Sequence, residues 1–408
     1  MSSKFPIVII GAGPAGLIAA SILLRNNIDV LVIEKSQFPR FSIGESLLPA
    51  AMDIINNAGL MGVFDNNEFQ MKKGALFHAN GKNALFDFSD QFTIGYKHTY
   101  QIPRDQFDNK LAQNLMDRGL KILFQHEVKS VELKDNYSVL TIQDSLGTVT
   151  KTNCSFIIDA SGFGRLLPNL LNLKTQTFQE NRQAIFKQIQ LPCESQLKFP
   201  HEITIVEHTK FENLWIWLIP FKNNICSVGI VGNINEIQTK FNLSDTEIYD
   251  YILNQEDFVK EQIKNYHSVN QVRSLSDFSA SSVELANQHY AIVGNSGEFL
   301  DPIFSSGMTL AMKSAELVAH CLIKKHQDNF ICWQNDYEQP FRSYVNVFKV
   351  FVNGWYDGSL KNILFYNYPN HTIKRMVCSI LAGYVWDNSN PFVKEPKRMY
   401  DIVHEYCK

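Results

Sequence analysis

The seven cysteines of this 408-residue chain, Cys154, Cys193, Cys226, Cys321, Cys332, Cys378 and Cys407, include no Cys-x-x-Cys pair and have no histidine at metal-ligand spacing. Their odd number and wide separation fit reduced thiols better than a disulfide framework or a zinc site. Basic runs are also lacking, and the formal net charge is only −3, which argues against nucleic acid or an acidic membrane surface as a partner. No apolar run is long enough to span a bilayer. The N-terminus has one early lysine and then "FPIVIIGAGPAG", without the long apolar stretch and small-residue cleavage site of a signal peptide, so a cytoplasmic location is expected. There is no internal repeat, low-complexity tract or long linker. With 45% hydrophobic and 19% charged residues the chain can build an ample core, and its length suits two or three domain-sized units. Tryptophan is scarce. Of five, two fall on alternate positions of "NLWIWLIPF", where a period of two puts Trp215 and Trp217 on one face of a strand and Ile216 and Leu218 on the other. Taken alone, that run reads as a fully buried strand ending at Pro220.

The N-terminal segment is richer in signal. A strand over Ile7 to Ile10 is followed by the turn "GAGPAG", a helix through "LIAASILLRNN" and a second strand "DVLVIEK". In this βαβ context Gly11 allows the tight turn, Gly13 lets backbone approach a pyrophosphate, and Gly16 permits close packing of helix on strand. Pro14 and Ala15 open the helix whose free N–H groups would face the phosphates. Glu34 ends the second strand, placed to accept hydrogen bonds from a ribose and to repel a 2′-phosphate. The middle of the chain alternates apolar and polar residues with turns between, as in antiparallel sheets. "HYAIVGNSGEFLDPIFSSGMTLAMKSAELVAHCLIK" returns to strand, glycine-rich loop and helix, and the residues beyond 325 read as helical and aromatic-rich. The fold class expected is α/β: a Rossmann-like dinucleotide-binding domain with an antiparallel-sheet substrate domain and a C-terminal helical region. The expected boundaries are 1–75, 100–175 and 280–325 for the dinucleotide domain, 76–99 and 176–279 for the sheet domain, and 326–408 for the helical region.

Together, "GAGPAG", "RDQFDNKL" (104–111), "DASGFGR" (159–165) and "GNSGEFLDPIFSSG" (294–307) resemble the FAD monooxygenases related to p-hydroxybenzoate hydroxylase. "WIWLIP" and "GESLLP" (44–49) resemble the flavin-dependent halogenase branch, and "LAGYVWDNSNPFV" looks like its pyrrole- and phenol-modifying members. The resemblance implies a cofactor, FAD as FADH2, held by Gly11, Gly13, Pro14, Ala15, Gly16, Glu34, Lys35, Arg40, Ser46, Arg104, Gly162, Asn295, Asp301, Gly307 and Met308. At position 295 this chain has asparagine where related flavoproteins usually have aspartate. The resemblance also implies a halide, chloride or bromide, at Ser306 and Gly307, although an isolated Ser-Gly at a helix start equally reads as a cap. Trp215, Trp217 and Phe304 would shield the cofactor from substrate. No metal is expected.

Halogenases of this group carry a lysine five residues before a phenylalanine. In "MKKGALF" the spacing to Phe77 selects Lys72, with Lys73 the alternate if the strand register shifts by one. In the reaction implied, reduced flavin and O2 give a C4a-hydroperoxide, halide attacks it to release hypohalous acid, and the lysine hydrogen-bonds or covalently carries the halogen. A lysine in an apolar pocket suits either role, because desolvation lowers its pKa. His78, Glu45 and Glu298 are each conceivable as the base that rearomatises the product, and spacing singles out none. The expected partners are a small electron-rich aromatic, free or tethered to an acyl carrier protein, and a separate NAD(P)H flavin reductase. The alternatives are an aromatic hydroxylase and a flavoprotein reductase. Phe348, Phe351, Trp355 and Tyr356 suit either a flat apolar pocket or plain core.

Overall fold

The structure is a computed structural model and describes residues 5–176, 182–193, 197–276, 280–368 and 371–408. Its first unit follows directly from local sequence. The all-apolar strand Ile7–Ile10 is buried along its length, as expected of a strand covered on both faces. The helix Pro14–Arg25 starts with proline in its first turn, where the missing N–H costs nothing, and ends at Asn26 and Asn27, the latter in the left-handed region at φ 56°. Val30–Glu34 then returns parallel to the first strand, with Ile7 opposite Val30. Three further strands complete a five-stranded parallel sheet in the order Tyr290–Ile292, Phe156–Asp159, Ile7–Ile10, Val30–Glu34, Lys121–Phe124. Residues 290–292 thus lie beside 156–159, so the chain comes back across more than a hundred residues to extend its first sheet. Of the stretch from Lys129 to Gly162 expected to form antiparallel strands, the part up to Cys154 does so, in the three-stranded sheet His126–Leu133, Ser138–Asp144 and Val149–Cys154, while Phe156–Asp159 joins the parallel sheet instead.

The second large sheet has eight strands and is mixed rather than purely antiparallel. Trp215–Pro220 pairs antiparallel with Ile225–Gly232 and Glu202–Glu207, but Glu202–Glu207 runs parallel to Gly74–Ala79. The departure has a simple origin: residues 74–79 come from far upstream, so no hairpin dictates their direction. Gly74–Ala79 begins two residues ahead of the boundary expected at 76. Just before it, Gln70–Lys72 pairs with Thr99–Gln101 in a small two-stranded sheet, with Lys72 opposite Thr99. Helices Gln339–Tyr356, Ser359–Leu364, His371–Leu381, Pro391–Lys394 and Pro396–Tyr406 form the C-terminal region. One apolar core runs from the parallel sheet through the Trp215 face to these helices, and a second fills the opposite face, around Ile216 and Leu218.

Candidate active site

A cavity of about 510 Å³ opens at the carboxyl ends of the parallel strands. Such a crevice is where open α/β sheets bind dinucleotides. Gly11, Gly13, Pro14 and Ala15 line it from the first turn, Glu34 and Lys35 from the end of the second strand, and Gly162 from the loop after Asp159. The glycines are required. Gly11 has φ 103°, and a Cβ there would lie 2.5 Å from the Ala160 carbonyl oxygen. At Gly16 a Cβ would come within 2.0 Å of the Gly11 oxygen, so this residue serves helix packing and does not line the cavity. Glu34 is fixed by the backbone it faces: Ala12 N–H donates to Oε2 at 2.8 Å and Ser36 N–H to Oε1 at 2.9 Å. Arg40 and Arg104, also in the lining, share Asp108 as an anchor. Arg104 Nε and Nη2 donate to its two oxygens at 2.8 Å each, and Arg40 Nη1 donates at 3.2 Å. These features are the cradle and charge that a flavin dinucleotide needs.

The long helix Ser306–His326 points its N-terminus at the same space. Ser305 turns the chain into it at φ 55°, and Asn295, Ser305, Gly307 and Met308 line the cavity. The unpaired N–H groups of a first helical turn attract anions. The Ser306 side chain is packed inside, so any anion here would meet backbone more than hydroxyl. Opposite stand the two tryptophans. Both line the cavity, their ring centres 6.0 Å apart, while Ile216 and Leu218 face the second core. Trp215 Nε1 donates to the Tyr356 hydroxyl at 2.9 Å and Trp217 Nε1 to Ser227 Oγ at 3.2 Å. Room for the second indole is made by its register partner Gly229, where a Cβ would sit 2.1 Å from the ring.

Lys72 is fully buried at the end of its strand, and Lys73 is exposed. The Lys72 ammonium nitrogen donates to Ser46 Oγ at 2.8 Å and to the Leu47 carbonyl at 2.9 Å, and no carboxylate pairs with it among the described residues. Burial alone pushes its pKa down from 10.5 to about 7. It lines a second cavity of about 10 Å³, room for one water-sized body, with Phe77 and Phe304. Ser46, which lines the crevice and accepts from Lys72, stands between the lysine and that crevice, as do Ile203, Ile205 and Ser305, which line both cavities. Sequence reading missed the two isoleucines, although the alternation in "HEITIV" puts Ile203 and Ile205 on one strand face.

Several expected site residues lie elsewhere. Asp301 does not line the large cavity: it is fully buried, accepts from the Tyr356 hydroxyl at 2.7 Å and from Ile303 N–H, and burial raises its pKa to about 6. Phe304 borders the lysine cavity instead of joining the tryptophans. Of the candidate bases, His78 bonds Asn83 at 2.7 Å and stacks on Phe258, while Glu298 bonds Ser281 and sits 3.6 Å from Arg342, both away from the two cavities. Glu45 lines the large cavity. Phe348, Phe351 and Trp355 are buried in the core, Phe351 packed against Phe304, Phe392 and Tyr400 and Trp355 against Phe77.

Comparison with known proteins agrees with this geometry. A family described as "FAD binding domain" matches residues 4–325. The chain is 31% identical over 328 residues to a tryptophan 2-halogenase of Chondromyces crocatus, covering 78% of this chain and 61% of that protein. It is 25% identical over 375 residues to a 1H-pyrrole-2-carbonyl peptidyl-carrier-protein chlorinase of Pseudomonas fluorescens, covering 86% and 82%. Thus the chain spans only about three-fifths of the first of these relatives. Among solved structures, a flavoprotein/dehydrogenase from Cytophaga hutchinsonii superposes with a TM-score of 0.94 at 35% identity, over 98% of both chains. The flavin-dependent brominase Bmp2 shares the fold, with a TM-score of 0.79 at 23% identity over 98% of each chain.

Proposed function

Because the chain belongs to the FAD binding domain family, with flavin-dependent halogenases among its relatives, we propose that it halogenates an electron-rich aromatic with FADH2, O2 and chloride or bromide. The observation that carries this reading is Lys72: a buried amine without a carboxylate partner among the described residues, bonded to Ser46 of the flavin crevice lining and divided from the crevice by Ile203, Ile205 and Ser305. A surface lysine would remain charged, and a structural buried lysine would have a counter-ion. Bound in the crevice as its reduced form, the flavin would supply, with O2, the oxidising equivalent that turns halide into hypohalous acid. Gly11, Gly13, Glu34, Arg40 and Arg104 would hold it, with the pyrophosphate at the start of helix Pro14–Arg25. Halide would rest on the N–H groups that open helix Ser306–His326. Trp215 and Trp217 would form a wall that keeps the organic ring out of this compartment.

At the lysine, the hydrogen bonds decide what the nitrogen can do. As a neutral amine, Lys72 holds Ser46 and Leu47 with its two N–H bonds and has a lone pair that can take halogen from hypohalous acid: the N–halogen bond forms, the halogen–oxygen bond breaks, and the hydroxide leaves as water with one amine proton, so one of the two hydrogen bonds is given up. As an ammonium it has a third N–H to donate to the hypohalite oxygen, making halogen more electrophilic. With a pKa near 7 both forms are populated at neutral pH. The test is incubation with candidate phenols, resorcinols and pyrroles, free or carrier-bound, a flavin reductase, O2 and either halide, followed by mass spectrometry. Halogen isotope patterns are expected. Product that gains one oxygen without halogen would make this a hydroxylase, and turnover with NADH and no reductase would make it a self-sufficient flavoprotein.

A further inference from the structure

We propose that the Tyr356 hydroxyl is a positioning group for the oxidising compartment: it ties the tryptophan wall to the loop that opens helix Ser306–His326, so that wall and helix start keep one fixed spacing. This deepens the reading given above and rests on its halide site. The hydroxyl joins two groups from distant parts of the chain. Trp215 Nε1, from a residue that lines the crevice, donates to it at 2.9 Å, and it donates to Asp301 Oδ2 at 2.7 Å. The direction is forced: an indole can only donate, so the one phenolic proton is left for the carboxylate. Asp301 in turn accepts from Ile303 N–H on Oδ1 at 3.2 Å and so caps the turn Pro302–Phe304. Pro302 in that turn lines the crevice, and so does Ser305, which directs the chain into helix Ser306–His326.

The tyrosine is itself firmly held. It is the last residue of helix Gln339–Tyr356, and its neighbour Trp355 packs on Phe77 with ring centres 6.0 Å apart. The Arg182 guanidinium covers the phenol ring 3.5 Å from its centre, and its charge favours the ionised form of Asp301. Beyond the helix end, Lys361 pairs with Glu207, the register partner of Trp215, so the C-terminal helices grip the sheet at the position where that indole leaves it. Trp217 is tied differently: its N–H goes to Ser227 on the adjoining strand of its own sheet. Trp215 is 1% exposed and Asp301 fully buried, so without the hydroxyl a buried N–H and a buried carboxylate oxygen would each lose a partner in a place that solvent does not reach. The space between this indole and the helix start is where halide meets the flavin in the reading above. A change in that spacing therefore registers first in halide affinity.

The experiment uses the FAD-loaded protein with a flavin reductase, O2, chloride or bromide, and an aromatic that the wild type halogenates. Tyr356→Phe removes the hydroxyl and keeps the ring. Halide KM should rise about tenfold, while kcat at saturating halide and the KM for the aromatic stay within about twofold, and the absorption spectrum of the bound oxidised flavin should shift. In the Trp215→Phe background the same change should do little, because the indole N–H that it would orphan is already gone. Tyr356→Phe with the halide KM and spectrum of the wild type overturns the proposal, and so does an effect that is undiminished in the Trp215→Phe background. If Tyr356→Phe does not fold, the tie is cut at its other end. Asp301→Ala should then raise halide KM about tenfold, and Asp301→Asn, which keeps an acceptor for the phenol, should bring it back to within about threefold of the wild type. An unchanged KM in Asp301→Ala, or no recovery in Asp301→Asn, overturns the proposal. A wild type that halogenates no aromatic overturns the reading above instead; the tie is then judged by the flavin spectrum alone, and an unshifted spectrum in Tyr356→Phe overturns it.

Discussion

Lys72 has a cost to stability that follows from its burial. Its pKa is about 7 in the folded protein against 10.5 ordinarily, so between those values the unfolded chain binds a proton that the folded one does not. Stability therefore rises with pH across that window, and below pH 7 the full penalty is present. Lys72→Met should stabilise the protein at neutral pH by on the order of 3 kcal/mol, a gain that fades as pH approaches 10.5, measurable by urea denaturation. The same substitution, like Lys72→Ala, should lower halogenated product at least about 100-fold while flavin reoxidation continues at its normal rate. Loss of flavin binding in either variant would contradict the role given to the amine. Stability traded for reactivity is the expected mark of a functional lysine.

Among the elements, the strand Trp215–Pro220 shows how a motif depends on its neighbour. Trp217 lies flat only because Gly229 faces it in register. Gly229→Ala should push the indole out of place and destabilise the fold by about 1–3 kcal/mol, read as a lowered denaturation midpoint, with a shifted flavin absorption spectrum. Replacing Trp215 and Trp217 together by leucine should let substrate reach the oxidising compartment, so that oxygenated by-products rise. If neither by-product nor halogenation changes, the pair is a structural strand and no more. The equivalent dependence in the first unit is Gly16, whose missing Cβ lets helix Pro14–Arg25 rest on the Gly11 carbonyl. Gly16→Val should abolish FAD binding, since no shift of a side chain can relieve a clash with backbone.

At the scale of the whole molecule, the flavin crevice is assembled from residues between Ile10 and Ala311, brought together by the return of Tyr290–Ile292 to the first sheet. A ligand that bridges so many segments binds the folded chain and not the unfolded one. Free FAD at about 100 times its Kd should add about 2.7 kcal/mol of stability, seen as a melting temperature that climbs with FAD concentration. Absence of such a climb would mean that the crevice is not a flavin site.

Local chemistry was legible in the sequence because its determinants lie within a few residues of one another. The βαβ unit with Gly11, Gly13 and Gly16 and the shared face of Trp215 and Trp217 rest on periodicities of two and of 3.6, together with turn geometry that one short segment carries, whereas the choice of Lys72 over Lys73 came from the resemblance, through its spacing to Phe77. What depended on distant segments was decided only by packing. Burial lowers the Lys72 pKa because Leu48, Ile303 and Leu381 close around it, and Ile203 and Ile205 stand between the cavities because Glu202–Glu207 pairs in parallel with Gly74–Ala79. Asp301 turns toward Tyr356, away from the flavin crevice, for the same kind of reason. A side chain's type is written in the sequence; its solvent and its partners come from residues tens to hundreds of positions away, and these set its charge.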